Sequence, residues 1–302
     1  MIGEDIFGVD PWTVPEHELH LDGLAHTESV FALSNGHVGL RGNLDEGEPA
    51  GHAGTYLNGF FETRPLPYAE TAYGNPESGE TMINVTNGKI LRLLVDDEPF
   101  DLRYGTVEHH ERTLDLRQGV LRREVRWLSP AGQGVIVRST RLVSFVHRSV
   151  AAIHYEVEAY KAPARIVVQS ELVANEPMSD ESGDDPRAAA ALRKPLKGEF
   201  HAHSGLRAGL VHVTRGSGRR VGAGMDHVVD GPQDTVTGSE SERDLARVTI
   251  ATDLKVGERL RIVKFIAYGW SMRTSPNACA NCRGSTSMTG LPSDALCICS
   301  TS

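Results

Sequence analysis

Apolar and polar residues alternate along most of the chain. In "LRREVRW", Leu121, Val125 and Trp127 fall on one face, and Arg122, Glu124 and Arg126 on the other. In "VAAIHYEVEA", Ala151, Ile153, Tyr155 and Val157 share a face, while His154, Glu156 and Glu158 share the opposite one. A period of two is the signature of a strand with one buried side. "RIVVQSELV", "LRAGLVHVT", "ARVTIAT" and "RLRIVKFIAYGW" read the same way. "ILRLLVDDEPFDL" reads as a strand, an acidic turn and a second short strand.

The breaks between these runs carry turn chemistry. Asn35-Gly36, Asn58-Gly59, Asn87-Gly88 and Asp230-Gly231 are hairpin-type dipeptides, because Asn, Asp and Gly tolerate the positive φ that tight turns need. Helical periodicity is scarce. "DPRAAAALRK" (185–194) is the best candidate, and the acidic stretch from Asn175 to Asp185 before it reads as an exposed excursion. Many strands, frequent turns and few short helices predict an all-β fold, a large antiparallel β-sandwich. No clean linker interrupts the pattern before about Tyr268, so residues 1–270 are expected to form one domain.

Composition narrows the function classes. The net charge of −9 over 302 residues repels phosphate backbones and argues against a nucleic-acid partner. No apolar run approaches the length of a membrane span, and the N-terminal "MIGEDIFGVDPW" has no secretory pattern. All four cysteines lie after residue 278, so disulfides are not expected to hold the β region together. These points together favour the cytoplasm.

Candidate chemistry is sparse. "GSGRRVG" (216–222) fails the dinucleotide-loop spacing, because Val221 stands where a third glycine is needed, and it reads as a basic, flexible turn. His109-His110-Glu111 and His201-Ala202-His203 have chelating spacing but no further ligands at fixed spacing. With 13 histidines in the chain they read as surface polar residues, and no metal is assigned there. Glu156 and Glu158 read as a solvated face rather than a glycosidic carboxylate pair. The tail offers Cys279, Cys282, Cys297 and Cys299, half of which resembles a zinc knuckle. The one-residue spacer of the second pair gives a poor bite for a tetrahedral ion, and the tail lacks apolar periodicity, so disorder is the favoured reading over zinc.

One stretch calls for a further explanation. "FALSNGHVGLRGNLDEGEPAGHAGTYLNGFFE" gathers turn residues beside Tyr56, Phe60 and Phe61. Together with "DPWTVPE", "NVTNGKILRLLVDDEPFDL", "TLDLRQGVLRREVRW" and "LRIVKFIAYGW", in that order and spacing, it resembles the N-terminal domain of glycoside hydrolase family 65. The resemblance runs from about Asp10 to Trp270 and corresponds to the first part of a full member. It implies a galactose-mutarotase-like supersandwich. In that family an (α/α)6 barrel follows and carries the catalytic glutamic acid. Maltose, trehalose and kojibiose phosphorylases of the family use inorganic phosphate as co-substrate, need no cofactor, invert the anomeric centre and release β-glucose 1-phosphate; related members are hydrolases.

No position of this chain matches the family's catalytic glutamate, so the resemblance transfers no catalytic residue. It implies a substrate-adjacent loop at Tyr56, Asn58, Phe60, Phe61 and Glu62, where aromatic rings would face either a sugar or, as the favoured reading, the missing barrel domain. It also implies a disaccharide as the parent enzyme's substrate and a homodimer or self-association through an uncovered face. After "FIAYGWS" the text turns to "MRTSPNACANCRG", rich in Ser, Thr, Cys and Gly. Residues 271–302 are therefore expected to be a tail foreign to the family, arising either from a shift of reading frame near Ser271 or from a natural gene fusion or decay. The alternative function is a non-catalytic carbohydrate-binding or assembly module.

Overall fold

A computed structural model describes residues 10–65, 74, 78–176 and 193–272. The chain opens with β1 (Thr13–Glu16) and a seven-residue helix, α1 (Leu24–Val30). Short strands follow: β2 (Leu33–Ser34), β3 (Val38–Leu40), β4 (Thr55–Leu57), β5 (Phe61–Pro65) and β6 (Ser78–Met82). Next come β7 (Leu91–Val95), β8 (Glu98–Pro99), β9 (Thr106–Asp115), β10 (Val120–Leu128), β11 (Gly134–Val143) and β12 (Val150–Ala159). The last group is β13 (Ala164–Val173), β14 (Leu196–Ser204), β15 (Arg207–Thr214), β16 (Arg220–Asp230), β17 (Val236–Ser241), β18 (Leu245–Leu254) and β19 (Arg259–Ser271).

A nine-stranded sheet in the order β1-β9-β10-β11-β12-β19-β16-β15-β14 faces a five-stranded sheet, β17-β18-β13-β7-β8. The pairings within both are antiparallel, as alternating strands joined by short turns predict. Two smaller sheets, β2-β3-β4 and β5-β6, carry the glycine-rich segment.

The predicted inward faces are buried. Val125, Trp127, Ile153, Tyr155 and Val157 of the large sheet share one core with Ile166, Val168, Val248 and Ile250 of the smaller. Each fully buried side chain of this size contributes roughly 1.5–3 kcal/mol by leaving water. Trp127 also satisfies its indole N–H, which donates to the Tyr104 carbonyl at 2.8 Å.

Turn predictions divide. Gly36 and Gly59 take φ of 81° and 80°, and the acidic turn between β7 and β8 places both Asp96 and Asp97 at positive φ. Gly88 and Gly231 do not take positive φ. Asn87 instead bridges Val173, and Gly88 is required by close approach, because a Cβ there would meet Ile266 and the Tyr268 hydroxyl at 2.8 and 2.9 Å. The predicted helix at 185–194 lies, except for its last two residues, outside the described residues. Helix α1 carries no recognisable capping side chain, and its periodicity is too short to announce it.

Two polar assignments need correction. His110 is not a surface residue: it faces the core, and its Nε2 lies 3.1 Å from Glu16. Glu156 is likewise buried, within a row of charges that crosses five strands: Glu124, Arg138, Glu156, Arg261 and Asp230 are paired in register on β10, β11, β12, β19 and β16. Arginines on neighbouring strands remove it from water, since Arg138 and Arg261 reach its carboxylate at 3.0 and 2.7 Å.

Candidate functional site

The five residues of the predicted loop fall into two environments. Tyr56 alternates outward from β4, between buried Thr55 and Leu57. It lines a cleft of about 180 Å³ with His52, Met82, Asn84, Glu176 and Arg193. Burial raises the Glu176 carboxyl above its ordinary range, against the hydrogen bond it accepts from Asn87 at 3.0 Å. Behind the cleft, Lys89 donates to the Ala53 carbonyl and to Thr55 Oγ1, both at 2.7 Å. Burial pulls its ammonium down to about 7.

The remaining loop residues pack onto the end of β19. Asn58, exposed, and Gly59, half-buried against Trp270, form the turn, and the Asn58 carbonyl accepts the Trp270 indole N–H at 3.1 Å. Phe60 is fully buried, edge-on to Trp270 with centroids 6.1 Å apart. Phe61 lies under Arg219, whose guanidinium carbon is 5.5 Å from the ring centre and 5.9 Å from that of Trp270. Arg219 also donates to the Gly59 carbonyl at 2.6 Å and to Glu80 at 2.8 Å. Glu62 is buried, and its carboxylate accepts the backbone N–H groups of Thr63, Gly216 and Ser217 at 2.7, 3.0 and 2.7 Å. The "GSGRRVG" turn thus holds an anion in its backbone amides, as concave N–H nests do, and the anion is the chain's own Glu62. The four tail cysteines lie outside the described residues.

Sequence reasoning missed a buried ionic cluster on the inner face of the large sheet. Asp45 accepts from Ser139 at 2.6 Å and from Arg141 at 2.5 Å. Glu46 accepts from Arg123 at 2.7 Å and from the Tyr155 hydroxyl at 2.8 Å. Beside them Arg112 joins Glu16 at 2.8 Å, Thr27 at 2.9 Å and the Gly42 carbonyl at 2.9 Å. The available signal was parity: Arg123 occupies an inward position between Leu121 and Val125. Burial disfavours both neighbouring carboxylates, but Arg141 and Arg123 hold Asp45 below its ordinary range. Glu46 stays raised by burial and by Asp45, despite Arg123. Glu46 touches a groove of about 660 Å³, yet Arg123 and Tyr155 engage both its oxygens. Among the described residues, no group of three or more His, Cys, Asp or Glu is placed to hold a metal.

The model of the glycosyl hydrolase family 65 N-terminal domain matches residues 14–291. The chain belongs to that family. An uncharacterised glycosyl hydrolase of Mycobacterium tuberculosis strain H37Rv is 56% identical over 277 residues, covering 91% of this family 65 chain and 35% of the relative. The alpha,alpha-trehalose phosphorylase of Thermoanaerobacter brockii is 31% identical over 268 residues, covering 87% of this chain and 34% of that enzyme. A solved structure assigned as a kojibiose phosphorylase from the human microbiome shares the fold, with a TM-score of 0.76 and 21% identity over 89% of this chain and 34% of that one. The family 65 chain therefore spans about a third of the length of these relatives. Among its described residues no helix is long and apolar enough to cross a membrane.

Proposed function

We propose that this chain is the N-terminal β domain of an inverting phosphorylase for an α-linked glucose disaccharide, and that it is catalytically silent alone. The carrying observation is the 31% identity to a trehalose phosphorylase across 87% of the chain, confined to 34% of that enzyme. In this reading a carboxylic acid in the unmatched portion protonates the glycosidic oxygen. Inorganic phosphate attacks the anomeric carbon from the opposite face, so no general base is needed. The buried carboxylates described above support the silence of the β domain. Asp45 and Glu156 are held below their ordinary range by arginines, which opposes their use as proton donors, and both oxygens of Glu46 and of Glu62 are engaged within the fold by Arg123 and Tyr155 or by backbone amides.

The domain's partners in this reading are the catalytic barrel and, through it, the disaccharide. Phosphate is the co-substrate and no cofactor is required. The net charge of −9 speaks against nucleic acid, and the absence of cysteine from the first 278 residues fits the cytoplasm. The aromatic loop is mostly packed against the end of β19 and the turn before β16. Phe60 is buried and Phe61 is capped by Arg219, which favours an architectural role for both over a sugar platform. Tyr56 alone opens to a cleft, and that cleft supports the second reading, a non-catalytic carbohydrate-binding module.

The test has two arms. The purified 302-residue chain, given phosphate with trehalose, maltose or kojibiose, should release no glucose 1-phosphate. A chimera joining residues 10–270 to the remainder of the Thermoanaerobacter enzyme should turn over and yield the β anomer. Turnover by the 302-residue chain that persists through purification, or a folded but inert chimera, overturns the proposal. Saccharide binding to the isolated chain, seen by calorimetry without turnover, moves the binding-module reading to the front.

A further inference from the structure

Strands β14 and β17 are edge strands of different sheets, the nine-stranded and the five-stranded. They meet along one open side of the sandwich. His201 and His203 are two residues apart on β14, so both side chains project from the same face of the strand. Both are exposed. They converge on a single atom: the Nδ1 atoms of His201 and His203 lie 3.0 and 2.9 Å from Oγ of Ser241, the last residue of β17.

One hydroxyl carries one proton. It can donate to only one of these imidazoles, so the other must donate its own N–H to Oγ. Oγ has two lone pairs, so without a metal the contact is made by one or both Nδ1–H groups donating to it. A cation is the other way to join them. Ligands about 2.1 Å from a metal and at right angles to each other are about 3.0 Å apart. Both N···O separations already have that length. Right-angled nitrogen and oxygen donors suit a tetragonal ion, and neutral imidazole is a strong ligand for one.

We infer that His201, His203 and Ser241 form a divalent transition-metal site that bridges the two sheet edges, taking Cu(II) first, Ni(II) next and Zn(II) more weakly. Water completes the coordination. The order follows from the ligand set and from the general rise of affinity to Cu(II) across the first-row divalent ions. Ligation would replace a hydrogen-bonded contact between edges with two metal–nitrogen bonds on one strand and an oxygen on the other. Because the unfolded chain does not hold these three groups together, the ion stabilises the folded sandwich by mass action.

The test uses the full chain, stripped with chelator and with its thiols alkylated so that the tail cysteines do not compete. Cu(II) is titrated calorimetrically and followed by electron paramagnetic resonance. The wild-type chain should bind one equivalent that is at least tenfold weaker in His201→Ala and in His203→Ala. Nitrogen hyperfine structure should show two imidazoles in the wild type and one in each single variant. Cu(II) should raise the melting midpoint of the wild type and not of the doubly substituted chain. Both histidines are exposed, and circular dichroism checks that each variant is folded. His201→Gln and His203→Gln, which keep polar side chains on the strand, serve as second variants should an alanine form be unfolded. The inference is overturned if the doubly substituted, folded chain binds that equivalent as tightly as the wild type, or if the wild-type spectrum shows fewer than two nitrogens.

Discussion

Glu62 and Gly216 are 154 positions apart, and the Glu62 carboxylate accepts the Gly216 amide N–H at 3.0 Å. With Ser217 and Thr63 donating as well, one buried carboxylate pins the aromatic loop to the turn between β15 and β16. Hydrogen bonds to an ionised group contribute about 1.5–3 kcal/mol each, and orphaned donors add to the loss. Glu62→Ala should therefore lower unfolding free energy by about 3 kcal/mol or more. Amide exchange should rise across residues 57–62 and 215–219 in particular. Urea unfolding and hydrogen-exchange mass spectrometry measure the two effects, and a neutral substitution would show that the nest tolerates vacancy.

The paired acids of the interior should respond unequally. Asp45 is held ionised by Arg141 and Arg123 against the cost of burial, whereas Glu46 is shifted toward its protonated form by that burial. Asp45→Asn removes a charge that two buried cations face. Breaking such a pair on one side costs about 3–5 kcal/mol. Glu46→Gln keeps the shape and an acceptor for Tyr155, so its cost should be less than half as large. Chemical denaturation of the two variants decides, and equal losses would contradict the assigned asymmetry.

The contrast between these acids and the strands around them explains what was legible in the sequence. Alternation placed Ile153, Tyr155 and Val157 on the inner face, because a period of two is a local property of strands and survives any tertiary context. It also placed Arg123 there, but a cation at an inward position has meaning only when its counter-charge is known. Glu46 lies 77 residues away in a turn-rich segment with no periodicity. The two Asn-Gly pairs at Gly36 and Gly59 are turns by their own backbone preference, while Gly88 is fixed by Tyr268, 180 positions later. The candidate loop shows the same division. Its composition marked it as unusual, but the capping of Phe61 by Arg219 and of Glu62 by Gly216 depends on a turn more than 150 residues on.

Lys89 and Lys264 make stability depend on pH in a stated direction. Burial first, then nearby Arg141, lowers each from 10.5 to about 7. In the unfolded chain both keep their protons up to about pH 10.5. Between about 7 and 10.5 the unfolded state therefore binds more protons, and stability rises with pH across that window. The penalty is fully present below pH 7. Lys264 Nζ donates to the carbonyls of Ile90 and Glu171 at 3.1 and 2.9 Å, so removing it also leaves two acceptors unpaired. The slope is thus the cleaner readout than the absolute stability. Lys264→Met should flatten the rise of the unfolding midpoint between pH 7 and 9.5 by about half. An unchanged slope would show that Lys264 keeps its proton in the fold.

The charge row on the outer face should behave as a unit. Glu156 receives Arg138 at 3.0 Å, Arg259 at 3.4 Å and Arg261 at 2.7 Å, and Arg138 also reaches Glu124 at 2.8 Å and Glu158 at 2.9 Å. Glu156 is buried, but its arginine partners are a third or more exposed, so salt reaches one side of each contact. Removing Glu156 leaves Arg138 on β11 and Arg259 and Arg261 on β19 flanking β12 with one counter-charge fewer between them, and like charges repel. A double-mutant cycle of Glu156→Gln with Arg138→Gln should give a favourable coupling, since the second substitution relieves repulsion that the first exposes. That coupling should shrink as sodium chloride is raised from 0.05 to 1 M, because the screening length falls to roughly 3 Å at 1 M. A coupling insensitive to salt would place the interaction in packing of the arginine stems instead. The row would then be a steric brace across five strands rather than an electrostatic one.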